Sequence, residues 1–468
     1  MKSLFVAALT LVGAAQAATK YAFPYFAEYP YGARARWAPQ TATAKMQQKF
    51  EDWKTSYYAE CPDGQRARVL WKDYKATSAG CTEAGSCTVS EGIGYGMLIT
   101  VYMDNATNNT KPMFDKLWKY YQSFLDDKGL MHWKIDGCNS AKSTGAATDA
   151  ELDVAVALAM AYKQWGSESY LTDLKTLLGK MWSAEVDGNK LLKPGSQFGS
   201  PYNPSYFAIG ALRLFATVDA AHDWKTVADN SVALLKKNQN GTTGLNSDWC
   251  NNNGNPVDYN GTGTSMFGFD AVRTPWRVAI GYAWFGGNAE KEVLAKMNTW
   301  IRGKWATFGS MRAEVSLDGS TVGGYVNALY KGAYAVTGMI NPADTTWLTS
   351  GASSVAGHTA DLYYNDSWQL IYLLTLTGNF QNFWGPLKPV GVERSVEPQV
   401  RWSARSAGNL VEVVGKGNTR AELLDAHGRL LASAQGTDAV TFERPVARGV
   451  YFVRLTGDEP ASLSFVVD

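Results

Sequence analysis

The sequence predicts an all-α domain in which six helical hairpins close into a ring, an (α/α)6 barrel, followed by a small all-β, sandwich-like module. Two observations carry this prediction. Segments rich in small and aromatic residues alternate with charged amphipathic segments over most of the chain, and the pattern changes to short alternating runs near residue 400. A chain of 468 residues is long enough for one large domain and one small module.

Six segments combine small and aromatic residues at helical spacing, and each follows a turn or loop. They begin near Glu91, Asp149, Pro204, Pro275, Gly323 and Asn365. The charged segments between them carry apolar residues at positions i, i+3 and i+4, which indicates helices with one buried face. Clear examples are residues 42–53, 113–125, 170–182, 224–237 and 289–305. Because inner helices of a ring touch neighbours on most sides, we assign the small-residue segments to the inside.

The two ends of the chain have a different character. Residues 1–17 have a basic start, an apolar run and an Ala15-Gln16-Ala17 cleavage pattern, which predicts a signal peptide and a secreted or cell-surface protein. No later stretch is apolar enough to span a membrane. We place the helical domain at residues 18–386, a proline-containing linker at 387–400 and the β-module at 401–468.

Composition narrows the classes of partner. Lys and Arg number 44 and Asp and Glu 43, so charge gives no reason to expect a nucleic acid or an anionic membrane surface. The 17 Trp and 24 Tyr residues suit a cleft in which rings stack on sugars, although large proteins also bury aromatic residues in the core. Five cysteines fit an oxidising compartment and leave at least one without a partner in the chain; their pairing stays open. No Cys or His spacing predicts a metal site, and we expect no cofactor.

Three acidic residues stand at starts of the predicted inner helices. Glu91 follows Ser90, which suits an N-cap, and precedes three glycines. Glycines lower the stability of a helix, so their presence indicates that another backbone or a ligand comes close to this helix. Asp149 lies between Thr148 and Glu151, which form the pattern of a capping box. Asp149 also shares a helix face with Asp153, and such like charges destabilise a helix unless something separates them.

The third acid, Asp270, is predicted on the loop that enters a helix beginning at Thr274-Pro275, close to Arg273 and Arg277. A plain salt bridge explains it as well as catalysis does. Glycoside hydrolysis nevertheless needs two carboxyl groups with opposed protonation, one kept neutral by burial and one kept ionised. These acids therefore favour a carbohydrate-cleaving site.

At these motifs the sequence resembles glycoside hydrolase family 8, which contains cellulases, xylanases, lichenases and chitosanases on an (α/α)6 barrel. The resemblance covers roughly residues 29–386. It is carried in order by residues 29–32 (YPYG), 89–96 (VSEGIGYG), 129–133 (GLMHW), 147–153 (ATDAELD), 203–207 (NPSYF), 270–273 (DAVR), 363–364 (YY) and 377–380 (TGNF).

The resemblance implies a catalytic role for four residues. Glu91 matches the proton donor, and Asp270 matches the general base of an inverting mechanism. Asp149 matches the acid that holds the distorted sugar at subsite −1, and Tyr206 matches the tyrosine that orients the attacking water. Substrate contacts are implied for Trp133, Phe198, Arg273, Tyr363 and Tyr364, with Phe198 standing where related cellulases often have Trp.

The expected activity is that of an endo-β-1,4-glucanase acting on a neutral β-1,4-linked polysaccharide such as cellulose, β-glucan or xylan, and we expect a monomer. A β-1,4-xylanase of the same family is the nearest alternative, and a non-catalytic carbohydrate-binding protein is a further one. The β-module resembles C-terminal sorting domains of secreted proteins from Bacteroidetes and Fibrobacteres.

Overall fold

The computed structural model describes residues 19–72, 80–82, 87–259, 261, 263–390, 403–407, 410–426, 428–442, 449–457 and 461–467. The predicted signal peptide and most of the predicted linker lie outside these residues. The chain divides into two units at Val390 and Gly391. Lys388–Pro389, within the predicted linker, pairs with Ala27–Glu28 and so belongs to the first unit.

The first unit is helical. Its described residues contain twelve α-helices: α1 Pro39–Tyr57, α2 Ser90–Tyr102, α3 Lys111–Gln122, α4 Thr148–Trp165, α5 Glu168–Glu185, α6 Ile209–Val218, α7 Trp224–Asn238, α8 Thr274–Phe285, α9 Asn288–Lys304, α10 Ala328–Val336, α11 Thr345–Ala356 and α12 Tyr363–Thr377. No helix in the described part of the chain has the length and apolar character needed to cross a membrane.

The even-numbered helices form a closed inner ring. Each packs on the next in the order α2, α4, α6, α8, α10 and α12, and α12 returns to α2. Each odd-numbered helix packs outside its partner, as in the pairs α4 with α5 and α10 with α11. This is the (α/α)6 barrel that the alternating sequence pattern predicts.

Burial separates the two rings. In α2, twelve of thirteen residues are buried, whereas in α3 only Phe114, Leu117, Tyr120 and Tyr121 are. A helix buried on nearly every side has room for few large side chains, so α2 and α4 depend on Gly and Ala. Gly94 lies against α4 so closely that a Cβ there would come within 2.9 Å of the Asp153 Cβ. The glycines of α2 therefore serve helix packing, and no ligand is needed to explain them.

Several local predictions are wrong in detail. The sixth outer helix, α11, has no charged residue; its polar face consists of Ser and Thr, so it lacks the charge by which the other outer helices are recognised. The third inner helix begins at Ile209, because Pro204–Tyr206 forms a separate 3₁₀ helix. The fifth begins at Ala328 instead of near Gly323.

Both predicted side-chain caps are also wrong. Val89 is the N-cap of α2, so Ser90 is already helical. Thr148 is the first residue of α4, and its hydroxyl donates to the Lys193 carbonyl in place of capping the helix. Glu151 is fully buried and accepts a hydrogen bond from the Tyr121 hydroxyl at 2.9 Å. Tertiary partners have replaced the local capping box.

Short strands connect the helices on the first unit. They are β1 Ala27–Glu28, β2 Tyr58–Glu60, β3 Ala67–Val69, β4 Cys87–Val89, β5 Lys134–Asp136, β6 Ser140–Ser143, β7 Met266–Phe267, β8 Val315–Ser316 and β9 Lys388–Pro389. Strand β4 pairs with β5 and leads directly into α2. Disulfides join Cys61 to Cys138 and Cys81 to Cys87 in this region.

The second unit is a sheet of antiparallel strands: β10 Ser403–Ala407, β11 Leu410–Leu424, β12 Leu430–Phe442, β13 Gly449–Gly457 and β14 Ala461–Val467. Strand β11 pairs with β10, β12 and β13, and its register shifts between Val414 and Asn418. The buried residues of this unit alternate along its strands, as do Tyr451, Val453 and Leu455 in β13, and they form one apolar cluster.

Candidate active site

The N-terminal ends of the inner helices surround a cavity of about 580 Å³. Because the partial positive charge of a helix lies at its N-terminus, this end of the ring favours negatively charged groups. Each inner helix, or the turn just before it, contributes to the lining: Glu91 from α2, Asp149 from α4, Tyr206 before α6, Asp270 and Arg273 before α8, Asn327 before α10 and Tyr363 from α12.

Glu91 lies in the first turn of α2 and is the most heavily hydrogen-bonded acid of the cavity. Its Oε1 accepts from the Tyr363 hydroxyl, and its Oε2 accepts from the Tyr95 hydroxyl and from Arg273 Nη1, each at 3.1 Å. Burial raises the pKa of Glu91 to about 7, against the lowering effect of Arg273. A carboxyl group with this pKa holds a proton at slightly acidic pH and is able to donate it.

Arg273 joins three carboxyl groups. Its Nη1 donates to Asp149 Oδ2 at 2.7 Å as well as to Glu91, and its Nη2 donates to Asp270 Oδ1 at 2.8 Å. The arginine side chain is buried, and its guanidinium lies 5.3 Å from the Tyr206 ring centroid. Glu91 and Asp270 are therefore held apart on different nitrogens of one rigid group. The sequence places Arg273 at the substrate, whereas its contacts are mainly to these acids.

Asp270 sits on the turn that leads into α8, as predicted. In addition to Arg273, Asn203 Nδ2 donates to its Oδ1 at 2.9 Å. The Asn203 side chain also accepts from the Ser205 backbone N–H at 3.0 Å, which fixes the 3₁₀ helix that carries Tyr206. The Asp270 side chain remains 30% exposed, so that water reaches it. Of the two arginines predicted near Asp270, Arg273 forms the salt bridge.

Arg277 pairs with Asp153 instead. Both its terminal nitrogens bind the Asp153 carboxylate, and both residues are buried. Asp149 and Asp153 of α4 thus face Arg273 and Arg277, which are also four residues apart. This matched pairing explains how two acids on one face of α4 are tolerated. These side-chain pairs also link α4 to α8 across the interior of the ring, where the two helices are not neighbours.

Asp149 is buried at the centre of this arrangement. Burial raises its pKa, whereas Arg273 and Arg277 act in the opposite direction. Tyr206 lines the same part of the cavity, and burial likewise raises the pKa of its phenol. All four residues for which the family resemblance implies catalysis therefore lie around one cavity.

Of the predicted substrate-binding residues, Trp133, Tyr363 and Tyr364 line the cavity and Phe198 does not. Trp133 lines the cavity beside α2, where its carbonyl accepts from the Ser90 N–H at 2.9 Å. Tyr364 also lines it and donates to the Phe269 carbonyl at 2.9 Å. Tyr363, although at the cavity, is 1% exposed and holds Glu91. Phe198 lies outside the lining, packed over Gly195, with 37% of its surface exposed.

The cavity contains residues that the sequence alone did not reveal: Trp71, Phe269, Tyr325, Asn327 and Asp361. They come from loops of irregular structure, which have no periodic signal. Only Asn327 has a local signature, because its side chain caps α10 by accepting from the Tyr330 N–H at 3.0 Å. Within the described residues, no group of three or more His, Cys, Asp or Glu side chains is arranged to hold a metal ion.

Comparison with known proteins agrees with this geometry. The chain matches the model of glycosyl hydrolases family 8 over residues 21–378. It is 31% identical over 399 residues to Endoglucanase 2 of Ruminiclostridium josui, covering 82% of each chain. It is 33% identical over 403 residues to Endoglucanase A of Acetivibrio thermocellus, covering 81% of this chain and 79% of the relative.

A solved structure supports the same assignment. The apo structure of the β-1,3-1,4-glucanase from Paenibacillus sp. X4 superimposes with a TM-score of 0.71 at 25% identity. The match covers 78% of this chain and all of the other. The family match spans the helical ring and the residues that supply the cavity. The chain therefore belongs to glycosyl hydrolases family 8.

Proposed function

We propose that the protein is a secreted endo-β-1,4-glucanase that hydrolyses its polysaccharide with inversion of the anomeric carbon. The observation that carries the proposal is the placement of Glu91 and Asp270 on separate nitrogens of Arg273 at one cavity. Inversion requires an acid, a base and room between them for one water molecule.

Glu91 serves as the general acid. Its pKa of about 7 lets it arrive protonated at mildly acidic pH, and burial is the main cause. The proton goes to the glycosidic oxygen, which leaves as a sugar hydroxyl. The tyrosine hydroxyls of Tyr363 and Tyr95 hold the carboxyl group and stabilise the anion left after transfer.

Asp270 serves as the general base. It removes a proton from a water molecule that attacks the anomeric carbon from the face opposite the leaving oxygen. Two donors, Arg273 and Asn203, fix its carboxylate, and its exposure gives the water access. Tyr206 orients the same water, and Asp149, held by Arg273, binds the distorted sugar at subsite −1.

Aromatic side chains along the cavity support a sugar polymer as substrate. Trp133, Trp71, Phe269 and Tyr325 present rings that stack on the apolar faces of pyranose units. Phe198, exposed nearby, extends this surface beyond the cavity. The relatives named endoglucanases favour glucan over xylan as the polymer.

The same proposal includes the compartment of the enzyme, its oligomeric state and the role of the β-unit. Two disulfides support an oxidising compartment and, with the signal sequence at residues 1–17, export to the cell surface or medium. Action as a monomer is part of the same proposal. The β-unit acts as a sorting module, which its sequence resemblance to C-terminal sorting domains supports.

The first test is Glu91→Gln. Glutamine has the same shape and no acidic proton, so we expect kcat on β-glucan to fall by at least about 10²–10⁴-fold while binding of cello-oligosaccharides persists. Turnover and calorimetric binding measure the two effects separately. Near-normal turnover by a folded variant would remove Glu91 from the mechanism.

A panel of polymers tests the substrate. Carboxymethylcellulose, barley β-glucan, xylan and chitosan are each digested with wild type and with Glu91→Gln as the inactive control. We expect a rapid fall in the viscosity of the glucans, which indicates internal cleavage. Faster cleavage of xylan than of either glucan would assign the enzyme to the xylanases instead.

A further inference from the structure

Asp248 is a buried acid that lies behind Asp270 and does not line the cavity. Its Oδ1 accepts hydrogen bonds from the backbone N–H of Gly268 at 3.1 Å and of Ala271 at 2.7 Å. These residues lie on either side of Phe269 and Asp270. One carboxyl oxygen therefore clamps the chain on both sides of Asp270.

The fit between Asp248 and this turn is close. A Cβ at Gly268 would lie 2.2 Å from Asp248 Oδ2, so only glycine lets the backbone approach the carboxyl group. No conformation of the backbone requires glycine here, since Gly268 has no positive φ. The reason for this glycine is the contact with Asp248.

Asp248 is itself rigidly held. The neighbouring Ser247 is bound on both sides. Its hydroxyl donates to the Trp249 carbonyl at 2.7 Å, and the Ser247 backbone N–H donates to Asn238 Oδ1 at 3.1 Å. Cys250 exchanges two backbone hydrogen bonds with Tyr202, the residue before Asn203. The segments carrying Asp248 and Asn203 are thus fixed to each other. Asn203 binds the Asp270 carboxylate, and Asp248 binds the backbone on both sides of Asp270.

Asp248 keeps its proton to a higher pH than an ordinary aspartate. Burial and the neighbouring Asp270 carboxylate raise the pKa of Asp248 to about 7, against the backbone donors and Arg273. A neutral acid here accepts hydrogen bonds without repelling the charge on Asp270. An amide would meet the same requirement.

We propose that Asp248 is a positioning residue that aims Asp270 at the attacking water by fixing the Gly268–Ala271 turn. The inference rests on the proposed role of Asp270 as the base. It accounts for a buried acid and a glycine that the catalytic residues alone do not explain. Asp248 makes no contact with the reacting atoms and acts only through Asp270.

The test compares Asp248→Ala, Asp248→Asn and Asp270→Asn on β-glucan. Asp248→Ala frees the turn, and displacement of a catalytic group by about 1 Å costs on the order of 10²-fold in rate. We expect kcat to fall by about 10–100-fold with KM within about threefold. Asp248→Asn keeps the acceptor oxygen, so we expect kcat within about threefold of wild type.

A matched control separates positioning from general stability. Asp219 is also a buried acid that holds a loop, since it accepts from the Ala221 N–H at 3.0 Å and from Trp224 Nε1 at 2.9 Å, away from the cavity. Asp219→Ala should lower the melting temperature and leave kcat of the folded enzyme unchanged. A fall in kcat for Asp248→Ala no larger than that for Asp219→Ala would overturn the inference.

The remaining outcomes separate the catalytic role of Asp270 from the positioning role of Asp248. Wild-type turnover in Asp270→Asn would overturn the proposed function, whereas an inactive Asp270→Asn with a fully active Asp248→Ala would overturn only the positioning role. A loss in Asp248→Asn as deep as in Asp248→Ala would also contradict it. If Asp248→Ala does not fold, Gly268→Ala displaces the same turn, and wild-type kcat there contradicts the proposal.

Discussion

Arg273 is the residue around which the site is organised. It is buried, yet its charge is matched by three acids, of which Asp149 lies at 2.7 Å and Asp270 at 2.8 Å. A guanidinium presents its donors in one rigid plane, so the acids it binds are fixed relative to one another. Lysine would supply the charge without this geometry. The relative positions of Glu91 and Asp270 thus depend on a third residue.

Tyr363 provides a test of how the proton on Glu91 is controlled. Its hydroxyl donates to Glu91 and favours the ionised form, so it lowers the pKa of Glu91. Burial has the larger, opposite effect, and the resulting pKa is about 7. Wild-type kcat/KM should therefore fall as pH rises through about 7, because the acid loses its proton. In Tyr363→Phe the pKa rises further, and we expect this alkaline limb to move up by about one pH unit.

Tyr364→Phe is the matched control for this measurement. The Tyr364 hydroxyl donates to the Phe269 carbonyl and not to Glu91, so the alkaline limb should stay in place. A Tyr363→Phe profile that superimposes on wild type, or moves to lower pH, would contradict this description of Glu91.

At the residue scale the sequence predicted the acids better than their supports. Glu91, Asp149 and Asp270 each lie in a motif at a helix start, and the structure brings them to one cavity. The supporting contacts join residues far apart in the chain. Asn203 binds Asp270 across 67 positions, and Asp248 binds the Ala271 N–H across 23. Arg273 binds Glu91 across 182 positions. No local pattern marks a hydrogen bond formed by tertiary folding.

At the scale of elements, the arrangement of the inner helices has two effects, one on packing and one on the site. Their small residues let them pack closely, and their N-termini gather the acids at one end of the ring. The periodic alternation of buried and amphipathic segments predicted this arrangement for most helices. The prediction missed α11, whose polar face carries no charge. The cap motifs at Ser90 and Thr148 also failed; the Thr148 hydroxyl binds the Lys193 carbonyl instead.

Gly94 tests the packing between α2 and α4. An added methyl group would lie 2.9 Å from the Asp153 Cβ and 3.3 Å from the Ala150 carbonyl oxygen. Overpacking of this kind costs about 1–3 kcal/mol, so Gly94→Ala should lower the free energy of unfolding by that amount. Chemical denaturation measures the change.

A glycine in an outer helix supplies the comparison. Gly179 of α5 has its nearest neighbour, His222, at 4.0 Å, so alanine fits there without displacement. Because alanine favours helix over glycine by about 0.8–1 kcal/mol, Gly179→Ala should stabilise the protein. Equal effects of the two substitutions would show that α2 does not need its glycine for packing.

At the scale of the whole molecule, the candidate active site lies in the first unit. Every described residue that lines the cavity precedes Val390, and the family match ends at residue 378. The second unit has its own apolar cluster, with Val411, Leu423 and Val453 among its members. The change of sequence pattern near residue 400 predicted this division, because strand and helix periodicities differ.

Removal of the second unit tests this separation. A chain ending at Val390 keeps strand Lys388–Pro389, which pairs with Ala27–Glu28. We expect its kcat/KM on soluble β-glucan to equal that of the full chain within about twofold, since no cavity residue is lost. A large loss of activity in a truncated chain with wild-type circular dichroism would show that the β-unit contributes to the site.

The stereochemistry of the first product tests the central claim most directly. If Asp270 activates water, the two carboxyl groups stand about 6.5–9.5 Å apart and the anomeric carbon inverts. Proton NMR of a β-1,4-glucan digest should then show the α-anomer before mutarotation produces the β-anomer. Appearance of the β-anomer first would mean retention, with Asp270 as a nucleophile or without a role, and would contradict the account.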